Sequence, residues 1–168
     1  MSEQKNHKEK EAQSAKERWQ KQVSRMMALC SRGEKCRQDI RRKLIKSDLL
    51  EEEIEELLTL LEKEGFIDEQ RYAIAYVRDK TRLLGWGPVK VMAGLRNKAI
   101  PEKCIQEAMK EADDQHYIEV LQAALQKKTA QLKEPHPIKR REKLVRFGLG
   151  RGYTYEQIYK VLKQDHYN

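Results

Sequence analysis

The side chains best placed to do chemistry in this chain are its cations, and what they offer is neutralisation of a polyanion. Lys and Arg number 35 against 27 Asp and Glu, a formal charge of +8, and the isoelectric point is near 9.3. The cations are also segregated. From Arg25 to Lys46 there are eight bases and two acids, and from Asp48 to Glu64 eight acids and one base. The pattern recurs, with seven bases and one acid from Arg71 to Lys98, then five acids and two bases from Glu102 to Asp114. From Lys127 to Arg151 nine bases stand against two acids, and the segment that follows is nearly neutral. Charge runs are commonly solvated helix faces that keep a protein soluble, yet solubility requires no alternation of sign along the chain. Basic blocks recurring at a fixed period suit a surface that tracks a phosphate backbone.

Other chemistries find little support. No GxxxxGK[ST] run is present, and Gly85, Trp86 and Gly87 match only the opening of a dinucleotide fingerprint, without its third glycine or a preceding strand. His7, His116, His136 and His166 are scattered without metal-ligand spacing, and Cys30, Cys36 and Cys104 form no CxxC pair. The cysteines are expected as small core fillers in a reducing compartment. Glu51, Glu52, Glu53, Glu55 and Glu56 crowd together as on a solvated helix face. No enzyme activity, metal site or cofactor is therefore expected. No run approaches the roughly eighteen consecutive apolar residues of a membrane span, and the opening MSEQKNHKEKEAQ has no apolar stretch, so the expectation is a soluble, cytoplasmic protein without membrane contact.

The elements that must position these cations are helices. Beyond Val23 apolar residues recur every three or four positions, and no run alternates with period two. One irregular spacing occurs three times: Ile40, Leu44, Leu49, Ile54, Leu58; Val91, Leu95, Ile100, Ile105, Met109; Leu144, Gly148, Tyr153, Ile158, Leu162. Its increments are 4, 5, 5 and 4 in each copy, and the copies lie 51 and 53 residues apart. The five-residue steps straddle a tight turn between two helices, and a further helix precedes each pair. Pro101 suits the first position of a helix, and Thr154 with Gln157 forms a capping-box pattern. Ser31 with Glu34, the Gly85, Gly87, Pro88 cluster and the Pro135, His136, Pro137 loop separate first helices from second, while Gly65 and Asp113 or Asp114 close the third. The prediction is an all-α chain of three tandem three-helix repeats, 23–66, 67–113 and 114–166, behind a polar N-terminal tail, 1–22. Each repeat has only a narrow apolar stripe, so stacking into an elongated, curved array is expected. Ile40, Leu44, Ile54, Val91, Leu95, Ile105, Leu144 and Ile158 should be buried.

Those anchors fix the inward direction of each second helix, so Lys35, Arg42, Lys90 and Arg96 should point outward, joined in the last repeat by Lys139, Arg140, Arg141 and Arg146. Arg25, Arg32, Arg71, Arg78 and Arg82, from the first helices and the turn after the first of them, extend the candidate stripe. Arg71 has an alternative role, pairing with acids of the preceding third helix to fix the stacking of repeats. Trp86, between two glycines, either stacks on a base or packs over its turn. The expected ligand is single-stranded DNA, bound weakly and without sequence preference by a monomer. From the residues alone two other readings stand: a helix-turn-helix-type DNA-binding protein with one second helix in a major groove, and a helical scaffold for a partner helix. Bases spread over three repeats favour backbone tracking over groove reading.

Four stretches, CSRGEKCRQDIRRKL (Cys30 to Leu44), EGFIDEQRYAIAYVRDK (Glu64 to Lys80), GWGPVKVMAGLRNKAI (Gly85 to Ile100) and KLVRFGLGRGYTYEQIYKVL (Lys143 to Leu162), resemble the bacterial RecX regulators. The resemblance implies three tandem three-helix repeats. It also implies a modulator of the RecA recombinase that binds the RecA filament on single-stranded DNA and restrains ATP hydrolysis, filament growth and strand exchange, with no catalytic residues. The family often has a Gly before the apolar residue of the turn between second and third helices. Gly152 keeps it, whereas Asp48 and Ala99 replace it. Ala tolerates left-handed geometry poorly, so the second of these turns is expected to be rearranged.

Overall fold

The computed structural model describes residues 2–111 and 114–164, and among these it is all-α, with no strand. Nine helices follow one another as three tandem three-helix repeats: α1 (Ser2–Cys30), α2 (Arg37–Leu44) and α3 (Glu51–Lys63); α4 (Glu69–Leu84), α5 (Pro88–Arg96) and α6 (Glu102–Glu111); α7 (Asp114–Gln131), α8 (Pro137–Gly150) and α9 (Tyr155–Gln164). The eight anchors expected to be buried are all buried, none more than 2% exposed. Compactness groups the helices differently from the repeats, into two units, 1–72 and 73–168. Asp113, one of the two candidates to close α6, lies outside the described residues, and Asp114 opens α7.

In the first unit the stretch expected as a tail is helical from Ser2 and continuous with α1. Its Glu, Lys, Gln and Ala are good helix formers, and no Gly or Pro precedes Gly33 to stop propagation. Trp19, Val23 and Met27 of this helix pack against a core of Met26, Ile40, Leu44, Ile54, Leu57, Leu58, Leu61 and Ile67. The stretch Phe66 to Arg71 closes this unit. Phe66 and Ile67 join the core, and the Asp68 carboxylate accepts the Arg71 N–H at 2.9 Å, capping α4. Glu69 accepts the Arg37 N–H at 2.9 Å and so caps α2 from a distance.

In the second unit the GWGP turn shows why two glycines flank a tryptophan. Gly85 takes φ 61°, and Pro88 occupies the first turn of α5. Gly87 lies directly on the backbone of the α8–α9 turn: its N–H donates to Arg151 O at 2.7 Å, and Val89 N–H donates to Gly152 O at 3.1 Å. These bonds stitch the second repeat to the third, which accounts for their forming one compact unit. Trp86 packs over its turn, edge-on to Tyr76 at 6.5 Å, with Lys80 and Lys90 ammonium groups 5.2 and 4.8 Å from its ring centroid. Beyond it, Tyr117, Ile118, Leu121, Leu125, Leu144, Tyr153, Ile158, Val161 and Leu162 form the core of the last repeat. The capping box at α9 is present, Thr154 N–H to Gln157 Oε1 at 3.0 Å and Gln157 N–H to Thr154 Oγ1 at 3.2 Å. Pro101 sits one position earlier than expected, its carbonyl accepting the Ile105 N–H at 3.1 Å.

The α5–α6 turn corrects an expectation. Ala99 adopts φ 55°, and the Ala99 and Ile100 N–H groups reach Arg96 O at 2.9 Å and Leu95 O at 3.2 Å. The glycine-type closure is thus retained despite the Cβ, because two hydrogen bonds and the burial of Ile100 hold it. Asp48 does not take this conformation, so it is the α2–α3 link, Ile45 to Leu50, that departs from the pattern. A left-handed Ala costs about 1–2 kcal/mol, so Ala99→Gly is expected to stabilise the protein by about 1 kcal/mol. Thermal unfolding should show a midpoint raised by about 2–4 °C.

Candidate nucleic-acid interface

The basic residues divide into those that hold the fold together and those that do not. On α2, Arg37 pairs with Glu55 at 2.5 Å and Glu62 at 2.6 Å, and Arg41 pairs with Glu51 and Glu55. Half the apparent opposition of a basic second helix to an acidic third is therefore internal neutralisation. Arg71, expected on the stripe, bonds Glu34 at 3.0 Å and the Gly65 carbonyl at 3.0 Å and lies 3.8 Å from Asp68. It clamps the end of α3 to the α1–α2 turn. Arg96 is likewise engaged, with Glu102 at 2.8 Å, and this hydrogen-bonded guanidinium draws the Glu102 carboxyl below the usual carboxylate range. Lys35 turns its ammonium onto the carbonyls of Gly33 and Glu34, and Lys90 donates to Gly150 O at 3.2 Å while lying over Trp86. Arg78 touches Asp79 at 3.2 Å.

Arg25, Arg32, Arg42, Lys43, Arg82, Lys139, Arg140 and Arg146 lack an acidic partner among the described residues, whereas Lys143 pairs with Glu134 at 2.6 Å. In the first unit Arg25 and Arg32 meet Lys43 around a cleft of about 240 Å³ floored by Met26, Ala28 and Leu29. Arg42 projects from the exposed side of α2. In the second unit Arg78 and Arg82 line a cleft of about 260 Å³ with Ile74, Thr81, Glu111 and His116. On α8, Lys139, Arg140 and Arg146 have no ion pair, while Arg141 lies 5.3 Å over the Tyr159 ring. Arg141 and Arg146 border a further groove of about 320 Å³ with Ile138, Tyr155 and Tyr159. Each cleft combines guanidinium or ammonium groups with apolar walls, a composition suited to a phosphate attached to something flat and apolar.

Sequence reasoning missed Lys43 and Tyr159. The phase of α9 was the available signal for the second: with Ile158, Val161 and Leu162 inward, Tyr155 and Tyr159 fall on an outer face. Two of the three thiols are held in an unreactive form. Cys36 is fully buried, and burial pushes its thiol up to about 11; burial raises Cys30 as well. Both remain protonated and weakly nucleophilic at neutral pH. Among the described residues no helix is long and apolar enough to cross a membrane.

Comparison with known proteins follows the same boundaries. Residues 68–109 match the second three-helix domain of RecX, and residues 115–162 match the third. The regulatory protein RecX of Clostridium acetobutylicum is 32% identical over 145 residues, covering 84% of this chain and 67% of that protein. That of Prosthecochloris aestuarii is 32% identical over 146 residues, covering 86% and 93%. A crystal structure of a regulatory protein RecX superposes with a TM-score of 0.81 at 25% identity, over 91% of this chain and 76% of the other. RecX from Lactobacillus salivarius shares the fold, with a TM-score of 0.77 at 20% identity over 88% and 96%. By its second and third repeats, its relatives and its fold, the chain belongs to the RecX family of regulatory proteins.

Proposed function

We propose that this protein regulates the RecA recombinase by lying along the RecA filament on single-stranded DNA, where it limits ATP hydrolysis, filament extension and strand exchange. The observation that carries this is the sorting of its bases. Arg37, Arg41, Arg71 and Arg96 are consumed by internal acids, while Arg25, Arg32, Lys43, Arg82, Lys139, Arg140 and Arg146 have no acidic partner among the described residues. Cations not engaged by internal acids gain a polyanion's attraction without first breaking an internal bond. They release condensed counterions on contact. No groove-reading helix is set apart, so contacts to backbone and filament outweigh base-edge readout.

Titration of a fluorescent oligonucleotide at several salt concentrations tests the nucleic-acid half of this account. Binding should be weak and indifferent to sequence, and log affinity should fall against log salt with a slope of about 0.7 per phosphate neutralised. Salt-insensitive binding, or strong preference for one duplex sequence, would overturn it in favour of a helix-turn-helix mode.

A further inference from the structure

The groove between α8 and α9 contains more than charge. The side of α9 facing the core carries Ile158, Val161 and Leu162, all buried, while Tyr155 and Tyr159 are 59% and 38% exposed on another face. Their rings are stacked, centroids 6.3 Å apart and planes inclined by 18°. From α8 the Arg141 guanidinium covers the Tyr159 ring at 5.3 Å. Val145 and Leu149 supply the apolar wall, Ile138 stands 65% exposed at the rim, and Arg146 borders the groove together with one acid, Glu142, on the same helix. Two large aromatic rings left in water contribute little to the fold, since the core of this repeat is complete without them.

We propose that Tyr155 and Tyr159, with Arg141 and Arg146, form a stacking platform for an unpaired nucleobase of single-stranded nucleic acid, a role that rests on the DNA-binding reading above and gives it a location. A base is flat and apolar on its faces and is tethered to a phosphate. It therefore satisfies both halves of this groove at once, the ring on tyrosine and the phosphate on arginine. An apolar helix of a partner protein would cover the rings but leave two desolvated guanidiniums with only the Glu142 carboxylate between them, at a cost. The volume, about 320 Å³, lies at the small end of ligand sites and admits one nucleotide. Stacking is indifferent to base identity, in keeping with sequence-independent binding.

The test compares a dT oligonucleotide with an abasic oligonucleotide of equal length and charge, on the full chain and on a Tyr155→Ala/Tyr159→Ala variant, with Tyr155→Phe/Tyr159→Phe as the ring-preserving control. The unsubstituted protein should prefer dT, and the alanine pair should lose about 10- to 100-fold on dT with little change on the abasic strand. The phenylalanine pair should retain the preference, and all three should share one salt slope and one thermal midpoint to within a few degrees. Equal affinity of the unsubstituted protein for the two strands would overturn the platform while leaving DNA binding intact. Absence of binding to both strands would overturn the DNA-binding reading itself, and the platform with it. Unchanged dT affinity in the alanine pair, with filament inhibition lost, would reassign the groove to a protein contact and likewise overturn the proposal.

Discussion

A variant with Arg25, Arg32, Lys43, Arg82 and Arg146 all changed to Glu is expected to lose single-stranded DNA binding while remaining folded. Non-specific contacts of this kind give dissociation constants of about 10⁻⁴ to 10⁻⁶ M at physiological salt. Removing five cations and adding five anions should drop the affinity by about 100-fold or more, out of measurable range, with the salt slope flattened accordingly. Stability should scarcely change, because none of the five has an acid partner among the described residues and exposed charges typically contribute within about 0.5 kcal/mol each. The paired cations predict the opposite phenotype. Arg37→Glu sets a carboxylate against Glu55 and Glu62, and Arg96→Glu sets one against Glu102. Both should lower the thermal midpoint and spare DNA affinity wherever the protein is folded. Measuring midpoint and affinity on the same samples separates the two groups. A large fall in the midpoint of the five-site variant would return its residues to a structural role.

Gly87→Ala is expected to destabilise the second unit severely. A Cβ there would lie 2.4 Å from Gly152 O, 2.5 Å from its carbonyl carbon and 2.6 Å from Tyr153 N. All three are backbone atoms and cannot swing aside, so the α4–α5 turn must lift off the α8–α9 turn. That movement breaks the bonds from Gly87 and Val89 to Arg151 and Gly152. Overpacking costs about 1–3 kcal/mol and each of the two lost hydrogen bonds about 0.5–1.5 kcal/mol, giving roughly 2–6 kcal/mol and a midpoint lower by about 10 °C. Gly150→Ala is the control. Nothing lies within 4 Å of a Cβ at that position, and a helical Gly→Ala change stabilises by about 0.5–1 kcal/mol. Equal midpoints for the two variants would refute the close packing of the turns.

What could be read in advance and what could not divides along the range of the interaction. The 4, 5, 5, 4 spacing reports burial on one helix face and its neighbour, so Ile40, Val91 and Leu144 were legible. The box at Thr154 and Gln157 spans three residues and was equally so. The seat of Gly87 on Gly152 joins positions 65 apart, and only the fold brings them together. Charge was legible as a count and a phase, but a count does not name partners. Arg41 and Arg42 are adjacent in sequence, yet one is held by Glu51 and Glu55 and the other is exposed without an ion pair. That difference follows from where α3 passes α2. The polar stretch before Val23 has little apolar surface to bury, and that lack points to a tail, although a run of good helix formers without Gly or Pro can remain helical once one end is docked.

The central claim is regulation of RecA, and it is met most directly by following RecA-catalysed ATP hydrolysis on single-stranded DNA as this protein is added. The account predicts that hydrolysis slows at sub-stoichiometric amounts and that the five-site charge-reversed variant, with an unchanged midpoint, fails to slow it; an unaltered rate with equimolar unsubstituted protein would contradict it.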